Sequence, residues 1–201
     1  MPESNTPNNK LSEDPSSDLV VDLVNRQTRY PIQEERLREV AQQILLDAGY
    51  PQGHLSLAVV DDAEMHQLNR QYLQHDYPTD VLSFLLEESG ERIEGEVIVS
   101  ADTAQREALR WDWLVNDELL LYIVHGTLHL TGMDDHEPED RLAMRRAEAM
   151  YLARWGLQHR YDSEEVGGDP GATDTSAVEP ACPGHQDRRQ SDGDGEDEAT
   201  S

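Results

Sequence analysis

Cysteine is almost absent from this sequence. Cys182 is the single one, so neither a disulfide framework nor a pair of thiolates is available to staple or metallate the fold. Any metal must be held by His, Asp or Glu. Long apolar runs are missing too. No stretch approaches the ~18 residues a spanning helix needs, and residues 1–17 lack both the basic start and the apolar stretch of a signal peptide. The expectation is a cytoplasmic protein with no membrane partner. Positive charge is scarce, with 16 Lys and Arg against 42 Asp and Glu and a formal charge of −26, which argues against a broad basic surface gripping nucleic acid. The bases of the patterned middle are all arginine, from Arg26 to Arg154, and arginine suits local, bidentate phosphate contacts.

What is present fits one domain of ordinary size in 201 residues. Residues 1–17 and 161–201 are rich in Pro, Gly, Ser, Asp and Glu, hold almost no large apolar side chain, and read as disordered. About half of the acidic excess sits in these ends. Between them, residues 18–160 are regular. Strands are expected at Asp18–Asn25, His54–Val60, Val81–Leu85 and Gly95–Ser100, and helices over 32–48, 61–72, 102–113, 117–131 and 138–155. Asn116 or Asp117 is placed to cap the fourth helix, and Gly132 to end it. That helix is apolar on most sides and therefore central. Four strands interleaved with five helices define an α/β (α+β) domain with a small mixed sheet.

The chemistry sits at the end of the central helix, in His125-Gly126-Thr127-Leu128-His129-Leu130-Thr131-Gly132-Met133-Asp134-Asp135-His136. His125 and His129 are one helical turn apart, so both imidazoles leave the same face and can meet one ion. The spacing alone is also met by two histidines that merely satisfy hydrogen bonds in a core. Gly132 lets the chain reverse, and Asp134, Asp135 and His136 then come within reach of the same point. Three protein ligands would leave a fourth position for water, whose pKa a zinc ion lowers toward neutrality. In the zinc-protease helix His-Glu-x-x-His the Glu is the general base; here that position is Gly126, which weakens a peptidase reading.

This segment resembles the YbeY endoribonucleases of ribosomal RNA maturation, whose motif runs His-Gly-x-Leu-His-Leu-x-Gly-aromatic-Asp-His. The resemblance extends to Leu68-Asn69-Arg70-Gln71-Tyr72, to Asp76 through Phe84 and to Gly95 through Ser100, and spans roughly Leu19 to Trp155. It implies a compact α/β fold, one zinc ion (Zn2+) held by three histidines, single-stranded RNA or rRNA as substrate, and the ribosome or ribosomal proteins as partners. The sequence departs from the pattern twice. The third histidine falls at Asp135, with His136 one residue later and Met133 in the aromatic place. Leu73 stands where a basic residue usually follows the Tyr, leaving Arg70 as the substitute for contacting substrate.

The reading is thus a cytoplasmic zinc-dependent endoribonuclease specific for single strands, with metal-bound water as nucleophile. His125, His129 and His136 are the expected ligands, because a neutral third imidazole leaves the full metal charge to acidify water. Asp135 is the alternative third ligand or an orienting partner of an imidazole, as is Asp134 for the latter role. Thr79, Asp80 and Ser83 either line the site or form a capped turn into a strand, and Trp111 and Trp113 read as packing residues. His54, His66, His75 and His159 read as surface or packing histidines. The rival functions are a ribosome-assembly binding factor with a mainly structural metal, and a metal-dependent hydrolase of another substrate.

Overall fold

The computed structural model describes residues 17–72 and 79–158. Leu73 and His75, and all but Ser17 of the two ends read as disordered, lie outside the described residues. The chain runs β1 (Asp18–Asn25), α1 (Glu34–Asp47), β2 (Gln52–Val60), α2 (Asp62–Tyr72), β3 (Val81–Ser89), β4 (Arg92–Ser100), α3 (Ala101–Arg110), α4 (Val115–Leu130) and α5 (Pro138–Ala153). The sheet order is β1-β2-β4-β3. β1, β2 and β4 are parallel and β3 is antiparallel to β4. Among the described residues this is the expected α/β fold, one mixed sheet of four strands with five helices. The parallel neighbours β1 and β2 require a crossover, which α1 supplies. β3 instead turns back at Gly90 and pairs with β4 as a hairpin.

The period-two alternation of β2 shows how the core divides. Leu55, Leu57 and Val59 join α1 and α4 in the main core, whereas Ala58 and Val60 pack with Met65, Leu82 and Ile98 on the opposite face, under α2. A central parallel strand is covered on both faces, which is why β2 reads as a nearly continuous apolar run. α4 is the middle of the molecule, with 12 of its 16 residues buried, and this depth leaves His125 and His129 on its one partly open side.

The helix starts differ from the sequence expectation. α3 is capped by Ser100, whose Oγ accepts the Thr103 N–H at 3.1 Å, so it begins one residue before Asp102. Asn116 does not cap α4. Its Oδ1 accepts the Gln33 N–H at 2.9 Å and its amide donates to the Pro31 carbonyl at 3.0 Å, tying the approach of α1 to α4. Asp117 instead receives the Leu114 N–H at 3.4 Å.

Candidate metal centre

His125 and His129 leave α4 with their Nε2 atoms 3.0 Å apart. On its other nitrogen, His125 Nδ1 meets Glu148 Oε1 of α5 at 2.7 Å. With Nδ1–H donated to that carboxylate, the neutral ring presents an Nε2 lone pair, the form that binds a metal. Asp135 closes the group, its Oδ2 3.8 Å from His125 Nε2 and its Oδ1 3.7 Å from His129 Nε2. All three side chains are largely buried. Asp135 Oδ1 is shut off from solvent and has no hydrogen-bond partner among the described residues.

The electrostatics are those of a site lacking positive charge. Burial works against protonation of His125, but the Glu148 hydrogen bond and charge, with Asp80 and Asp135, outweigh it and hold the imidazole above its ordinary value. For His129, burial and then the charge of His125 push the imidazole down to about 4. Two facing ring nitrogens can share one proton at most, and a buried carboxylate oxygen without a donor is costly. Donors about 2.1 Å from one tetrahedral ion stand about 3.4 Å apart. His125, His129 and Asp135 therefore fit a divalent cation by spacing and by unmet demand.

The turn after α4 presents the carboxylate. Gly132 N–H bonds to the His129 carbonyl at 3.0 Å and Met133 N–H to the Leu128 carbonyl at 3.3 Å, the paired bonds of a Schellman motif. Gly132 takes φ +87°, which a side chain would disfavour, and Met133 packs on the core. Asp134 Oδ1 then accepts the N–H groups of Asp135 at 2.7 Å and His136 at 3.3 Å, setting the bend. Of the two candidate third ligands, the structure brings Asp135 to the imidazole pair and places His136 with Asp134 and Asp135 instead. The His136 side chain is 60% exposed, with its Nε2 3.7 Å from Asp134. Adjacent residues in a bend face different ways, and here the bend turns Asp135 inward.

Gly126 has a packing reason. A Cβ there would lie 2.7 Å from Ser83 Oγ, 2.8 Å from Val97 Cγ1 and 2.9 Å from Val81 Cγ2, so α4 rests directly on β3 and β4 and leaves no room for the glutamate of a protease helix. Ser83 is buried there against α4, its Oγ without a hydrogen-bond partner among the described residues. Asp80 lies near enough to His125 for their charges to interact. Its Oδ1 accepts from Val81 N–H at 2.9 Å and from Thr79 Oγ1–H at 3.1 Å; burial raises its carboxyl while the charge of His125 pulls the other way. Thr79 thus acts on Asp80. Arg70 is exposed in the last turn of α2 and is not among the converging residues. Trp113 packs against the core as expected. Glu148 escaped the sequence reading, although an acid on the buried face shared by Met144, Tyr151 and Leu152 is a signal that could have found it.

Fold and site together define a class: a small α/β protein with a His-His-Asp cluster suited to a divalent ion at the end of its central helix. The family model described as Endoribonuclease YbeY matches residues 22–156. The chain is 38% identical over 167 residues to the Endoribonuclease YbeY of Rhodopirellula baltica, covering 77% of this chain and 86% of that protein. It is 44% identical over 144 residues to that of Syntrophotalea carbinolica, covering 67% and 95%. A solution structure of a Thermotoga maritima protein matches with TM-score 0.49 and 23% identity, over 76% of this chain and 99% of that one. The chain belongs to the YbeY endoribonuclease family, a family of hydrolytic nucleases.

Proposed function

We propose that the protein is a zinc-dependent endoribonuclease that cuts single-stranded RNA during ribosomal RNA maturation in the cytoplasm, with His125, His129 and Asp135 as the metal ligands. The observation that carries the reading is the convergence of two Nε2 atoms 3.0 Å apart on a carboxylate with a buried oxygen that has no hydrogen-bond partner among the described residues. Two histidines and a carboxylate are a donor set that catalytic zinc sites use. A zinc ion bound there would supply Lewis acidity toward a phosphodiester oxygen and acidify a water for attack. The protein's own groups do the positioning. Glu148 fixes the tautomer and the plane of His125 through Nδ1. Asp80, with Glu148 and Asp135, makes the surroundings of that ring acidic, favouring a cation at the site. The Schellman turn holds Asp135 in place.

Membership of the family supports RNA as the substrate, and no described helix is long and apolar enough to cross a membrane. The test uses purified protein with a single-stranded RNA oligonucleotide. Cleavage should need a divalent metal and should fall by more than about 100-fold in His129→Ala, beyond the ~10–100-fold range of residues that only orient a ligand. Undiminished cleavage by His129→Ala, or by the wild type after exhaustive chelation, would overturn the reading.

A further inference from the structure

We propose that Arg141 and Arg146 of α5 are phosphate-contacting residues that carry the backbone of a single RNA strand to the metal centre; this rests on the nuclease reading above. In so acidic a chain the described guanidiniums are nearly all spoken for. Arg26, Arg29, Arg36, Arg38, Arg92, Arg106, Arg110 and Arg154 each have a carboxylate oxygen within 3.1 Å, and Arg70 and Arg145 have interactions of their own. The guanidiniums of Arg141 and Arg146 have no ion pair, hydrogen bond or ring contact among the described residues, and both residues are exposed. Carboxylates stand nearby, including Glu137 one turn before Arg141, yet neither arginine pairs with one.

Helix geometry ties these two residues to the site. At 100° per residue, Arg141 falls about 20° around α5 from Glu148 and about 10 Å nearer the helix start. Glu148 is buried against His125, whereas Arg141, on nearly the same line, is exposed. The face of α5 that packs on the metal centre thus opens toward solvent at Arg141, three residues into the helix that follows the Asp135 turn. Arg146 lies about 140° further around, with exposed Leu142 and Met150 on its flank. A strand leaving the metal would meet Arg141 first and then pass outward over Arg146. A guanidinium with no partner among the described residues can take a phosphate bidentately without breaking an ion pair there.

The experiment measures binding and cleavage of a single-stranded RNA oligonucleotide by the full chain across a salt series, for wild type, Arg141→Gln, Arg146→Gln, the double variant, and Arg38→Gln as a control whose guanidinium is already paired with Glu34 and Glu35. Each lost phosphate contact should flatten the salt dependence of log K by about 0.7. Cleavage by Arg141→Gln should show KM raised about 5–10-fold with kcat and metal content near wild type, which a folding defect would not produce, and Arg38→Gln should match wild type. A wild type that neither binds nor cuts RNA would refute the nuclease reading itself. A wild type that cuts RNA, alongside a double variant with the same salt slope and equal or tighter binding, would overturn this proposal alone and assign the arginines to another anion, such as the acidic segment 159–201.

Discussion

Two polar clusters of this molecule are built from similar parts and end in opposite states. Around Asp62, at the start of α2, every carboxylate oxygen is answered: Oδ1 accepts from Ser100 Oγ–H at 2.6 Å and Thr103 Oγ1–H at 2.9 Å, and Oδ2 takes the Arg106 guanidinium. Beside it Asp102 receives Arg29 at 2.8 Å and the Asp62 N–H at 3.2 Å. A cavity of about 420 Å³ opens there, yet its arginines are already neutralised by the acids next to them. Around His125, by contrast, Asp135 Oδ1 has no hydrogen-bond partner among the described residues and two ring nitrogens confront each other. A cluster that satisfies itself stabilises the fold. One that leaves electron pairs converging on a point is suited to a cation from outside, and the depth of the neighbouring hollow is no guide to which is which.

The contrast can be broken at either cluster. At the open one, Glu148→Gln keeps a side chain of the same size but removes the charge facing His125 Nδ1, and metal affinity should fall by about 10–100-fold. Competition against a chelator of known affinity measures it, and an unchanged affinity would mean that Glu148 is only a packing residue. At the closed one, Asp62→Asn should leave metal content and cleavage at wild-type values and destabilise folding by about 1–2 kcal/mol, read from urea unfolding.

The pH dependence of that loss has a definite sign. Burial opposes ionisation of Asp62, but Ser100, Arg106 and Thr103 outweigh it and hold the carboxyl below its ordinary value. The contribution is therefore full above the unfolded value near 4 and disappears as pH falls through the lower folded value. The stability gap between wild type and Asp62→Asn should close on acidification. A gap that widened instead would show that the carboxylate is not the stabilised form.

The α/β fold was largely legible in the sequence because the apolar periods of β1, β2, α1 and α4 are set by burial. The outer halves of β3 and β4 were not. Glu87 to Ser89 pairs with Arg92 to Glu94 by backbone hydrogen bonds while mostly exposing polar side chains, so no alternation betrays the hairpin. The histidine pair was legible from its one-turn spacing. Which of Asp135 and His136 faces that pair was not, since it depends on the Asp134 bend and the Schellman turn, and chemical preference alone favoured the imidazole. Glu148 lies 23 residues from His125, and only the packing of α5 on α4 brings them together. Gly126 carried information that its spacing concealed, because its role is the close approach of α4 to β3 and β4.

The most direct test of the account is the metal content of the purified chain and of two adjacent single variants, measured per protein by elemental analysis without chelator. Wild type and His136→Ala should both hold close to one equivalent of divalent metal, and Asp135→Ala should hold almost none. An Asp135→Ala protein that keeps its metal beside a His136→Ala protein that loses it would contradict the His-His-Asp centre.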